Sequence, residues 1–240
     1  MSRVANKDFW NRKARENPLW YVSSFGPYQG RDEQEFWRSG QTIWNEIKQA
    51  IGYDPDPSHT VIEIGCGVGR LTRAISPEVV KVFAQDISEE MLEIAKSHRL
   101  TNVTFVCTGG ADLASIESGC ADLVLAYCVF QHLPSLAALD QYLREMVRAA
   151  KRDAMIAFTL APRTWRVTLL PLLRARRRAL EVLTDSGPRE LWRKEWVGIR
   201  PSVRKVLAMS AFPLKVTNLA GERMLFHGRN VASSVKERHI

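Results

Sequence analysis

From Thr60 onward, short apolar runs alternate with segments whose apolar residues recur at helical spacing. "TVIEIG", "KVFAQDIS", "NVTFVC", "ADLVLAYCVF" and "RDAMIAFTLA" read as five strands. Between them "RLTRAIS" opens a helix, "SEEMLEIAKSHR" is a helix that Ser88 can cap with acids in its first turn, and "LAALDQYLREMVRAA" is a third. Strands separated by helices of this length require right-handed crossovers and hence parallel pairing. The uninterrupted apolar runs of the fourth and fifth strands fit burial on both faces. Near the end, "LKVTNLAG" and "RMLFHGR" read as two strands joined by a turn at Gly221. The expected fold is α/β: a doubly wound, mostly parallel seven-stranded sheet with an antiparallel C-terminal hairpin and a helical insertion.

Outside this core the pattern changes. Residues 1–30 suggest a short helix and then an arm carrying Trp20, Tyr21, Phe25 and Tyr28, and "DEQEFWRSGQTIWNEIKQAIG" a helix stopped by Gly52 and "DPDPS". From Pro162 to Pro213 the chain is helical and basic, broken by Pro171, Pro188 and Pro201. One domain is expected, with residues 1–56 as arm or lid, 57–161 as ligand-binding core, 162–213 as insertion and 214–240 as the hairpin that completes the sheet.

Composition adds a charge asymmetry. The 240 residues carry a formal net charge of +8, but residues 151–240 hold 19 Lys and Arg against 7 Asp and Glu, and residues 1–150 hold 15 against 19. Neither a long uncharged apolar run nor a secretory leader pattern is visible, so a cytoplasmic protein is expected. Cys66, Cys107, Cys120 and Cys128 form no C-x-x-C and read as small buried hydrophobes; no metal site is expected.

The stretch "VIEIGCGVGRL" carries the candidate chemistry. In an open parallel sheet the loop after the first strand is the usual ligand contact, and Gly65, Gly67 and Gly69 fall there. A dinucleotide loop has G-x-G-x-x-G; here the spacing is G-x-G-x-G with Glu63 just ahead, a poor neighbour for phosphate and a good one for an ammonium or sulfonium. Asp86, 21 residues after Gly65, stands where an acid accepts hydrogen bonds from ribose hydroxyls. Taken alone, Asp86 can equally cap a helix. Together these residues indicate a nucleoside without phosphates.

In this order and spacing, "VIEIGCGVGRLT", "VFAQDIS" and "ADLVLAYCVFQHLP" resemble the motifs of class I S-adenosylmethionine-dependent methyltransferases, over about residues 60–160. The resemblance implies S-adenosyl-L-methionine as cofactor. Gly65, Gly67, Gly69 and the adjoining backbone would cradle its methionine part, Asp86 with neighbouring Ile87 would hold the ribose, and Glu63 would order the loop or approach the ammonium. Asp112 would meet the adenine amino group or merely cap a loop, and Leu113 would cover the ring. Arg70 would pair with the carboxylate or stand in solvent, and Tyr127 and Cys128 would line the pocket.

Methyl transfer asks mainly for alignment and exclusion of water, plus a base where the acceptor is a hydroxyl. His132 in "QHLP" is the candidate base, or else a loop-bonding residue; Gln131 lines the same loop. Trp20 and Tyr21 either close over the cofactor or pack the N-terminal helix, and Phe36 and Ser39 border the cofactor or belong to an amphipathic helix. For the acceptor, a sugar, lipid-linked or other small molecule is expected, with RNA less favoured and a non-catalytic partner role as the alternative. Arg174, Arg176, Arg177 and Arg178 offer contact with an anionic membrane surface, a grip on an acidic acceptor, or only a solvated face.

Overall fold

A computed structural model of the chain describes residues 3–23, 30, 32–160, 198–199, 201–219 and 223–231. Its elements run α1 (Arg3–Glu16), α2 (Pro18–Ser23), α3 (Glu33–Ile51), β1 (Thr60–Ile64), α4 (Thr72–Ile75), β2 (Lys81–Asp86), α5 (Glu89–Lys96), β3 (Val103–Cys107), β4 (Ala121–Ala126), α6 (Leu136–Ala149), β5 (Ala150–Leu160), α7 (Val203–Met209), β6 (Lys215–Leu219) and β7 (Arg223–Arg229). The strand order is β3-β2-β1-β4-β5-β7-β6. Pairing is parallel from β3 to β5, while β7 runs antiparallel to both β5 and β6. The direction of winding reverses between β1 and β4, which opens a crevice at the carboxyl ends of those strands.

The sheet is covered on both faces, as the apolar runs require. Ile62, Ile64, Val124, Ile156 and Phe158 pack with Leu139, Leu143 and Met146 of α6. The opposite face joins Val61, Leu123, Leu125 and Ala157 to Trp44 and Ile47 of α3. Helix starts follow the local chemistry: Asp32 accepts from Gln34 N, Ser88 from Met91 N and Ser135 from Ala138 N. Gly52 ends α3 in the left-handed region at φ 62°.

Two expectations need correction. The fourth strand stops at Ala126, not Phe130: Cys128 turns left-handed (φ 61°) and donates its N–H to Thr159 Oγ1 at 2.6 Å, so the apolar run continues into a loop. Of the four cysteines only Cys66 is buried; Cys107, last in edge strand β3, is exposed beside Glu89. Edge strands have no neighbour to cover the far side, which the sequence pattern cannot show.

The N-terminal helix is docked on the core. Asn11 Oδ1 accepts from Ser88 Oγ at 2.8 Å, and Lys7–Glu89 and Arg15–Glu90 pair α1 with α5 at 2.8 and 2.7 Å. Exposed ion pairs contribute little, so the part-buried Ser88–Asn11 contact and the burial of Phe9 and Ala14 carry most of the docking. Of the basic segment only Gly198, Ile199 and 201–213, with α7, are described; Arg174 to Arg178, Phe25, Tyr28 and Gly221 lie outside the described residues.

Candidate active site

A cavity of about 330 Å³ opens at the crevice between β1 and β4. Its floor is the glycine loop: Gly65 N and Cys66 N both donate to Gln85 O, at 2.6 and 2.9 Å, tying the loop to the end of β2. Gly65 has φ 71°, and a Cβ there would collide with Val129 of the loop after β4. Gly67 has φ 55°, and its Cβ would stand 2.9 Å from Val22 of α2. Glycine is required twice at each position, for the backbone angle and for the close approach. Gly69, also left-handed, packs instead on Ala95 and does not line the cavity.

Asp86 ends β2 at the cavity wall, one carboxylate oxygen accepting from Gly67 N and the other from Ser88 N, both at 2.8 Å. Burial pushes its carboxyl up, and the N–H groups of Ser88, Gly67 and Ile87 oppose that shift. Ile87 lines the wall beside it. Glu63 is 3% exposed, with Oε2 accepting from Thr72 Oγ1 at 2.5 Å. Burial, assisted by the charge of Asp86 and opposed by Thr72 and Arg70, raises it to about 7.

That shift has a sign in stability. The folded protein keeps a proton that the unfolded chain, with an ordinary value of 4.5, would release. Any contribution from Glu63 is therefore full below that value and is lost as pH rises through about 7, by on the order of 3 kcal/mol. Glu63→Gln is expected to flatten the fall in melting temperature of the ligand-free protein between about pH 5 and pH 8. Equal slopes in wild type and variant would show that Glu63 is charged throughout.

Arg70, 6% exposed, sits in the wall above the glycine loop. It donates to Ser39 Oγ and Val22 O, both at 3.4 Å, and its guanidinium lies 5.5 Å from the centre of the Phe36 ring. Phe36 and Ser39 thus stay outside the cavity and hold Arg70 in place. A Cβ on Gly40 would collide with the Arg70 carbonyl, so α3 can approach the loop only with glycine there.

The far end is built by the loop after β4. Gln131 and His132 line it, His132 in a single 3-10 turn (Phe130–His132), with its ring 5.3 Å from Trp10 in an edge contact. Gly198 N donates to Gln131 O at 2.7 Å, so the chain returning from the basic segment seats on this loop. Tyr127 and Cys128 also face the cavity.

Besides Gly69, three residues expected at the ligand do not line the cavity. Trp20 is buried away from the cavity against Tyr21, because consecutive helical residues point about 100° apart and Tyr21 takes the inward position. Asp112 does not line the cavity: Gly110 and Ala111 turn left-handed, and the Asp112 carbonyl accepts from Gln85 Nε2 at 2.8 Å. Leu113 is 1% exposed in the α6-side core, its N–H donating to Glu145.

Conversely, Asn6, Trp10, Gln85 and Arg223 line the cavity without having been singled out. Asn6 and Trp10 stand four apart on α1, a spacing that puts them on one face. Gln85 follows the apolar run Val82–Ala84 of β2 and directly precedes Asp86. Arg223 reaches Tyr127 Oη from the start of β7, a meeting 96 residues apart that carries no local signal. Among the described residues no group of three or more His, Cys, Asp or Glu is placed to hold a metal, and no helix is long and apolar enough to cross a membrane.

Residues 62–158 match the methyltransferase domain family. The ubiquinone biosynthesis O-methyltransferase of Idiomarina loihiensis is 25% identical over 118 residues, 48% of this chain and 47% of that protein. The malonyl-[acyl-carrier protein] O-methyltransferase of Bacillus cereus is 31% identical over 110 residues, 45% and 39% of the two. The chain thus spans less than half the length of these curated relatives. The crystal structure of magnesium protoporphyrin IX methyltransferase from Synechocystis with bound SAH superposes with a TM-score of 0.63 at 21% identity, over 95% of this chain and 99% of that one. The two chains therefore share a fold.

Proposed function

On the premise that the chain carries a methyltransferase domain at residues 62–158 on the fold of class I S-adenosylmethionine-dependent methyltransferases, we propose that it transfers a methyl group to an oxygen of a small acceptor. The observation that supports this best is the glycine cradle, left-handed at Gly65 and Gly67 and bonded through Gly67 N to Asp86. It fits a nucleoside lying on bare backbone with its hydroxyls toward a carboxylate. Bound there, S-adenosylmethionine would supply an electrophilic methyl on sulfur.

The side chains then divide the work. Asp86 accepts the ribose hydroxyls, Arg70 offers a bidentate partner to the amino-acid carboxylate, and Glu63, whose proton burial retains up to about pH 7, ionises against the cationic portion when it binds. Trp10 and Tyr21 cover the cavity and exclude water. His132, at the far end beside Gln131, takes the acceptor's proton at an imidazole nitrogen as the new oxygen–carbon bond forms.

An O-linked small acceptor is supported by the O-methyltransferases among the relatives. The cytoplasm as location, and residues 162–213 as the segment that selects the acceptor, complete this reading. RNA or an anionic membrane surface would engage Arg174 to Arg178, where no contact is described.

Calorimetric titration with S-adenosylhomocysteine tests the proposal: a protein that does not bind it is not this enzyme. Asp86→Ala is expected to weaken that binding by about 1 to 3 kcal/mol. Full affinity in the variant would remove Asp86 from the site.

A further inference from the structure

Arg223 opens β7 at the carboxyl end of the parallel strands: the next residue, Met224, pairs with Leu160, the last residue of β5. It lines the cavity from the side of β4, β5 and β7, whereas the glycine cradle and Asp86 belong to β1 and β2. Its Nη1 donates to Tyr127 Oη, and the guanidinium lies 5.3 Å from the centre of the Tyr127 ring. These contacts orient the planar fork and leave it charged. Burial pulls the group below its usual value and the charge of Glu46 opposes that shift, yet an arginine keeps its proton at any physiological pH. Glu46 itself is not among the residues that line the cavity.

With the cofactor in place and His132 neutral, the charges in the cavity do not cancel. Arg70 and Arg223 are positive, Asp86 is negative, and Glu63 becomes negative on ionising. The carboxylate and ammonium of the cofactor offset each other, so the sulfonium charge is left over. In a space shielded from water such an excess attracts an anion far more strongly than it does in solvent.

We propose that the acceptor is a hydroxy acid, its carboxylate paired with Arg223 and its hydroxyl presented to His132. The carboxylate is held and not methylated. The hydroxyl oxygen gains the methyl group, its proton passes to His132, and the electron pair of the broken carbon–sulfur bond stays on sulfur. Arg223 thus selects the acceptor, and Tyr127 is a positioning residue that aims the fork. Two parallel N–H donors fit a carboxylate in its own plane, and a neutral acceptor would leave the excess charge uncompensated.

The inference rests on the methyltransferase reading above, and the test separates the two. Wild type, Arg223→Leu, Arg223→Lys and Tyr127→Phe are each loaded with sinefungin, which carries an amine in place of the methylsulfonium, or with S-adenosylhomocysteine, which is neutral there. The acids 4-hydroxybenzoate, 4-hydroxyphenylacetate and 3-hydroxybutyrate are titrated against their amides, and methyl transfer to the same compounds is followed with labelled S-adenosylmethionine. Wild type should bind an acid about tenfold or more tightly than its amide, and more tightly in the sinefungin complex than in the S-adenosylhomocysteine complex. Arg223→Leu should lose that preference with S-adenosylhomocysteine affinity unchanged, and Arg223→Lys, which keeps the charge without the fork, should retain part of it. Tyr127→Phe should weaken acid binding about threefold or more and leave amide binding alone. No acid preference in wild type, or an undiminished one in Arg223→Leu, overturns the inference. So does a loss of S-adenosylhomocysteine affinity in both Arg223 variants, which would assign the arginine to the cofactor. In each of these cases the enzyme reading stands; failure of wild type to bind S-adenosylhomocysteine overturns that reading itself.

Discussion

Alanine at position 65 is expected to remove measurable S-adenosylhomocysteine binding and to lower the stability of the folded protein by on the order of 2 kcal/mol or more. Two costs add. The residue would be held at φ 71°, and its Cβ would run into Val129, forcing apart the loops after β1 and β4 that form the cavity floor and far end. Gly52 offers a control that separates the costs. It has nearly the same angle, φ 62°, at the C-terminus of α3, and no atom lies within 4 Å of the Cβ it would gain. Gly52→Ala should therefore lose about 1 kcal/mol from the backbone alone, with binding intact. If Gly65→Ala melts and binds like Gly52→Ala, the two loops are looser than the structure shows and the cradle does not carry the site.

His132→Ala is expected to lower methyl-transfer turnover about a hundredfold or more, with cofactor affinity unchanged. The imidazole packs against Trp10 on the loop after β4, whereas Asp86 is held by Gly67 N and Ser88 N, so its loss should leave those contacts in place. The pH profile gives the readout that a structural role would not move. Without the base, turnover by His132→Ala should gain its pH dependence from hydroxide alone, and His132→Gln, which can still hydrogen-bond the loop, should not restore the rate. Undiminished turnover in His132→Ala would assign the residue to holding the loop, through contacts such as His132 N to Val129 O at 2.9 Å.

The central strands were legible in the sequence because a strand buried on both faces must be a continuous apolar run, and edge strands β3 and β6, which have no fully buried residue, showed as short runs between turn signals; the switch between these patterns and helical spacing marks most boundaries. The glycine loop and Asp86 were legible for a related reason: left-handed backbone and close approach leave glycine almost alone as a choice. Where the strand boundary failed, at Ala126, the residues beyond it are as apolar as a strand. Only the bond from Cys128 N to Thr159, 31 residues away, turns them out of the sheet.

The residues around the glycine loop divide in the same way. That Arg70 is held by Phe36 and Ser39, that Gln85 bonds the Asp112 carbonyl, and that Asn6 and Arg223 reach the cavity at all depend on helices and strands arriving from distant parts of the chain. Backbone constraints are written into single residues, so the sequence by itself determined the strands and the cradle, while the strand order and its switch between β1 and β4 came with the tertiary structure. Which side chains face the ligand is set by the rotation and docking of whole elements, such as α1 on α5 or β7 against β5. Those depend on contacts summed over many residues, and only the tertiary structure decided them.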